Sequence, residues 1–142
     1  MTTRRSSLLS LGCMFALAGV PASKVFAQSK TPAIDGYDPV AYFTDKKAIP
    51  GKPAINFDWD DKRYLFASNK NRELFAANPD RYEPQFSGMC AGNVAKGHKV
   101  KADPTIWRVV DGKLYLFAGK QSSDEAVART VALGQAKWKV IK

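Results

Sequence analysis

The stretch Tyr64–Gly92, YLFASNKNRELFAANPDRYEPQFSGMCAG, decides how the rest of the chain is read. It opens as a strand over Tyr64–Ala67 and turns through Ser68 and Asn69, both good helix N-cap types. The spacing then predicts a helix over Asn69–Asn78, with Leu74 and Phe75 directed at a core. Pro79 cannot continue that helix and opens a second short turn over Asp80–Tyr82. An aromatic loop follows and delivers Gly88-Met89-Cys90.

Working outward, the N-terminal side supplies the partner strand. Ile55-Asn56-Phe57-Asp58-Trp59 alternates apolar and polar residues as a half-buried strand does, and Asp60-Asp61-Lys62 reads as the turn of a hairpin. Before it, Ile34–Pro39 is turn-rich, Val40–Phe43 is one helical turn or an edge strand, and Asp45–Lys52 is a charged loop. On the C-terminal side, Met89–Lys96 reads as a short helix and Asp103-Pro104 as a turn. Ile106–Val110 and Lys113–Phe117 flank Asp111-Gly112, a two-residue hairpin signal. Ser122 with Glu125 has the form of a capping box opening a helix to about Val140, with Ala126, Ala132, Ala136 and Trp138 as packing positions and Gly134 as a weak point. No internal repeat is expected, although the two hairpins each precede a helix. The fold class is α+β: a small single domain with two β-hairpins, a central short helix and a C-terminal helix.

The first 27 residues read as a cleaved export signal peptide. Arg4 and Arg5 make a positive start, and Leu8–Val20 is an apolar run too short to span a bilayer. Val25-Phe26-Ala27 suits a signal peptidase, which places cleavage after Ala27 and the product in the periplasm or outside the cell. An uncleaved membrane anchor is the competing reading of the same run, and the mature protein is not expected to be transmembrane. Thr3-Arg4-Arg5 resembles a twin-arginine signal, although Ser7 departs from it, and a general secretory signal fits as well. Cys13 is no lipoprotein cysteine, because Ser10-Leu11-Gly12 fits a lipobox poorly. Residues 28–34 are a polar, flexible lead-in, and the domain proper spans 35–142.

Cleavage removes Arg4, Arg5 and Lys24, so the 22 basic residues less these three, set against 13 acidic ones, leave a net charge of +6. For an exported protein this points away from nucleic acid and toward an acidic protein or an anionic envelope surface, with an ordinary solvated surface as the plainer reading. Cleavage also leaves Cys90 alone, so no intramolecular disulfide is possible.

The mature sequence resembles the YHS-domain family. The resemblance rests on Asp38-Pro39-Val40-Ala41-Tyr42-Phe43, Tyr64-Leu65-Phe66-Ala67-Ser68, Asn71-Arg72 with Phe75, Asn78-Pro79, Tyr82 with Pro84, Gly88-Met89-Cys90-Ala91, and Asp111–Leu116, in that order. It implies a small α+β domain. Part of the family is linked to heavy metals such as copper through cysteines that fall at Ala41 and Ala67 here, so that metal site is absent. The chain is closer to a stand-alone exported branch.

Three chemistries remain open. Met89, Cys90 and His98 are soft or borderline donors within ten residues, suited to Cu(I) if a loop brings them together, and otherwise two core fillers and a surface imidazole. Cys90 with His98, the only histidine, could serve as a thiol nucleophile and its base in a small enzyme or redox accessory, although no protease signature or Cys-x-x-Cys supports this. A protein-interaction domain with no chemistry of its own is the third. Tyr42, Tyr64, Tyr82 and Phe86 either line a pocket or fill the core. Asp35, Asp38, Asp58, Asp60 and Asp61 sit in turn contexts and read as structural.

Overall fold

A computed structural model describes residues 30–120 and 124–142. The expected signal segment 1–27 and the capping residue Ser122 lie outside these residues. The fold is α+β, as expected, with its strands in two separate antiparallel hairpins. The first pairs β1 (Lys52–Trp59) with β2 (Lys62–Phe66), and the second pairs β3 (Asp103–Val110) with β4 (Lys113–Phe117). The helices are α1 (Ala41–Thr44), α2 (Asn69–Ala77), α3 (Pro79–Tyr82), α4 (Ala91–Val94) and α5 (Asp124–Ile141). No helix among the described residues is long and apolar enough to cross a membrane.

Local chemistry explains most boundaries. The Ser68 hydroxyl caps α2 by accepting from the Asn71 amide at 3.2 Å, and Pro79 begins α3 at a position where a missing N–H costs nothing. Asp111-Gly112 turns the second hairpin with both residues at positive φ, and Asp60-Asp61 does the same for the first. Lys62 is therefore a strand residue paired with Trp59, not part of the turn. Asp103-Pro104, expected as a turn, begins β3. Proline is tolerated there because β3 is an edge strand in a two-stranded sheet.

The expectation of no internal repeat is overturned. Each half opens with a left-handed turn, Ala33–Gly36 or Gln85–Gly88, whose two central residues and terminal glycine have positive φ. Next come a bridge across a loop (Tyr37 to Pro50, Met89 to Lys101), a one-turn helix, a hairpin and a longer helix. The hairpins even share an irregularity. Lys52 pairs with Phe66 and Asn56 with Leu65, while Asp103 pairs with Phe117 and Trp107 with Leu116, so both bulges fall at the same register. Pro32 bridges Arg63 in parallel as Pro84 bridges Leu114. The offset is 52 positions from Pro32 to Pro84 and 51 from Phe66 to Phe117. The lead-in is thus already part of the fold at Pro32, and Ala33 is buried.

Each half centres on a core cluster, and Tyr42 of the first half packs into that of the second. In the first, Phe75 of α2 sits against the rings of Phe57, Tyr64 and Phe66 at 6.0, 4.7 and 5.3 Å. In the second, Leu114–Phe117 pack with Phe86, Cys90, Ala91, Val94, Val127 and Val131. Burying each large side chain fully stabilises by about 1.5–3 kcal/mol before entropy is counted. The duplicated Tyr-Leu-Phe of β2 and β4 is therefore the main anchor of both halves.

The buried stripe of α5 is Val127, Val131 and Gly134, followed by half-buried Trp138. Ala132 and Ala136, expected to pack, are exposed. Gly134 is small for a reason: a Cβ there would lie 2.9 Å from Cζ of Phe86. The helix accepts a propensity cost so that the Phe86 ring can lie against its backbone.

Candidate functional site: a lysine-lined groove at the seam of the two halves

The Cys90 region comes first because the sequence directs attention there. Cys90 is 3% exposed and precedes α4. Its amide donates to the Val100 carbonyl at 2.8 Å, and its sulfur accepts from the Ala118 amide at 3.1 Å. The repeat explains this contact. Asp38 holds the corresponding place in the first half, 52 positions earlier, and accepts from the amide of Ala67, the counterpart of Ala118, at 2.8 Å. Cys90 thus fastens the start of α4 to the end of β4, as Asp38 fastens the start of α1 to the end of β2. Asp38 does it more thoroughly. One carboxylate oxygen takes the Val40 and Ala41 amides at 2.8 and 3.3 Å, and the other takes Ala67 and the Asn71 side-chain amide. Asp38 is fully buried, has no ion pair among the described residues, and these four donors satisfy its oxygens.

Met89 is half-buried and bridges Lys101. His98 is exposed, with its amide on the Asn93 carbonyl. A buried sulfur already engaged by an amide and an imidazole out in solvent do not fit one ion together. Among the described residues, no three His, Cys, Asp or Glu side chains are grouped to hold a metal. Nor does any hydrogen bond join Cys90 to His98 as a nucleophile to its base.

Of the expected pocket residues, Tyr42, Tyr64 and Tyr82 are core. Burial pushes the hydroxyls of Tyr42 and Tyr64 well above the ordinary tyrosine range. Tyr42 remains a donor, giving its proton to the Pro104 carbonyl at 2.8 Å and so tying α1 of the first half to β3 of the second. Phe86 does line a concave surface, with its ring 5.8 Å from that of Trp138.

That surface is a groove of about 900 Å³ where the two halves meet. One wall is the tip of the first hairpin, with Asp60 of the turn and Lys62 at the start of β2. The floor is Glu83–Ser87 together with Lys113 at the start of β4. The opposite wall is the end of α5, with Ala132, Gln135, Ala136, Trp138, Lys139 and Lys142. Lys62 and Lys113 are equivalent residues of the two halves, each the first of its returning strand. Gln135 donates to the Tyr115 hydroxyl at 2.7 Å, which fixes α5 against the second hairpin. Lys99 lies over the Trp138 ring at 5.7 Å.

Four lysines, one aspartate and one glutamate line the groove. Glu83 is held above the usual carboxylate range, first by burial and then by Asp80 and Asp60. Lys62 and a hydrogen bond with Trp59 act in the opposite direction. The sequence reading missed these lysines because scattered surface lysines look alike in one dimension. The available signal was the repeat itself: Asp60-Asp61-Lys62-Arg63-Tyr64-Leu65-Phe66-Ala67 against Asp111-Gly112-Lys113-Leu114-Tyr115-Leu116-Phe117-Ala118.

The fold and groove together define a small α+β domain built from two tandem hairpin units, with a basic groove at their seam. No family model matches the chain, and no curated protein and no solved structure matches it either.

Proposed function

We propose that the chain is an exported, YHS-like binding module that makes and breaks no covalent bond, and that it holds an anionic ligand in the seam groove. The observation that carries this reading is the convergence of Lys62, Lys113, Lys139 and Lys142, from three elements, on one concave surface. Four lysines against Asp60 and Glu83 leave the cleft net positive, and a net charge gathered in a cleft raises the local concentration of counter-charged ligands, which scattered lysines do not. The ordered resemblance over residues 38–116 supports the domain type, and the basic, then apolar N-terminus supports export.

The test uses residues 28–142 with poly-glutamate and polyphosphate as probes, followed by calorimetry. Lys62→Glu/Lys113→Glu is compared with Lys46→Glu/Lys47→Glu, which changes net charge equally outside the groove. The reading expects binding that weakens with salt and is lost only in the groove variant. Equal loss in both variants would show a diffuse charge effect and defeat the reading.

A further inference from the structure

We infer that the groove's ligand is an acidic glycan, a chain of sugar rings bearing carboxylates. This inference rests on the anion-binding reading above and narrows it to one chemistry. The groove is not uniformly basic. Asp60 and Glu83 line it beside Lys62 of the first hairpin, while Lys139 of α5 and Lys142 just after it line it from the other side, with Lys113 between. A ligand made only of closely spaced anions would bring charge against those two carboxylates. The ligand must offer hydrogen-bond donors there and negative charge near the lysines.

Sugar hydroxyls are such donors, and they also accept. Gln85, Ser87 and Gln135 line the same groove, and amide and hydroxyl side chains both donate and accept. Trp138 adds a half-buried indole beside Phe86, with Lys99 over its ring, so the aromatic pair contributes apolar contact area to the groove. The volume of about 900 Å³ lies within the usual range for a small-ligand cleft, enough for a few rings. An acidic peptide of contiguous Asp or Glu brings the anions without hydroxyls between them.

The test titrates residues 28–142 with three probes of matched length: oligogalacturonate, a neutral galactan oligosaccharide and poly-glutamate. The variants are Lys139→Glu and Gln85→Ala, with thermal melts to confirm folding. The inference expects oligogalacturonate to bind at least about tenfold more tightly than either other probe, and expects each variant to weaken that binding. Poly-glutamate binding as tightly would overturn the glycan and leave the anion groove standing. Neutral galactan binding as tightly would remove charge from recognition and overturn both. Binding of none of the three would also overturn both.

Discussion

Asp38 and Cys90 perform the same task in the two halves with very different strength, and this can be measured. Asp38→Ala deprives four donors of their acceptor: the amides of Val40, Ala41 and Ala67 and the side chain of Asn71. The two local amides act as a cap, worth about 1 kcal/mol. Ala67 and Asn71 lie 29 and 33 residues away in sequence, and leaving a buried donor unsatisfied costs about 1–3 kcal/mol each. Removing the carboxylate also relieves the cost of burying it, which offsets part of the loss. The net expectation is a destabilisation of about 3 kcal/mol. Cys90→Ala releases one amide from a weak sulfur acceptor and trims one small apolar group, for about 1–2 kcal/mol.

Urea unfolding of residues 28–142 separates the two. With a slope of about 1–2 kcal/mol per molar, Asp38→Ala moves the midpoint down by roughly 2 M and Cys90→Ala by about 1 M or less. Asp38→Asn should be nearly as damaging as alanine, because its amide group points a donor at donors. Asp38→Cys, which gives the first half the pin of the second, should fall between alanine and the unmutated protein. Equal midpoint shifts for Asp38→Ala and Cys90→Ala, or a loss below about 1 kcal/mol for Asp38→Ala, would refute this account of the pins.

Gly134→Ala improves helix propensity by about 1 kcal/mol but drives a methyl into the Phe86 ring, and overpacking costs about 1–3 kcal/mol. Thermal melts should show a net loss, recovered when Phe86→Leu is added; a stabilised single variant would contradict the packing. Tyr42→Phe leaves the buried Pro104 carbonyl without its donor and should cost about 1–2 kcal/mol in urea, and an unchanged midpoint would count against the tie between halves. Glu83 is raised in the folded state, so its ionisation works against folding. That penalty is absent below the unfolded carboxylate pKa, grows as pH rises, and is complete above Glu83's raised value. Glu83→Gln should therefore gain stability over the unmutated protein only as pH rises through that window, and a gain that is flat with pH would be the wrong sign of evidence. Chelator competition should give the same Cu(I) affinity for Cys90→Ser as for the unmutated chain, and a Cys90-dependent drop would restore the soft-donor site.

Much of the fold was legible because its signals are local. Asp111-Gly112 marked a hairpin, Ser68 a cap and Pro79 a helix stop, and each is found within a residue or two of its expected place. The buried face of α5 was not legible, because alanines are compatible with either side of a helix. Which side packs was decided by Val127, Val131 and the Phe86 contact at Gly134. The two-sided burial of β2 and β4 was likewise hidden. Leu65 and Leu116 point away from Tyr64, Phe66, Tyr115 and Phe117, yet they are buried too, because other segments cover that face. As for the site, a lone cysteine draws the eye in sequence, while lysines become a site only when distant segments meet.

The duplication also locates where the halves differ, and the groove lies there. The shared parts, from turn to bridge to bulged hairpin, build the two cores and bring Lys62 and Lys113 to one seam. The unshared part is the length of the closing helix: α2 has 9 residues and α5 has 18. Gln135, Ala136, Trp138 and Lys139 of the groove's far wall are supplied by that extra length, and Lys142 follows directly after it. Without them the two lysines would sit on an open surface and be worth little in water. With them, Trp138, Lys139 and Lys142 turn a seam that symmetry alone leaves shallow into a cleft. Shortening α5 after Gly134 should therefore remove ligand binding, whereas loss of the Cys90 pin should lower stability and leave binding by the folded protein intact.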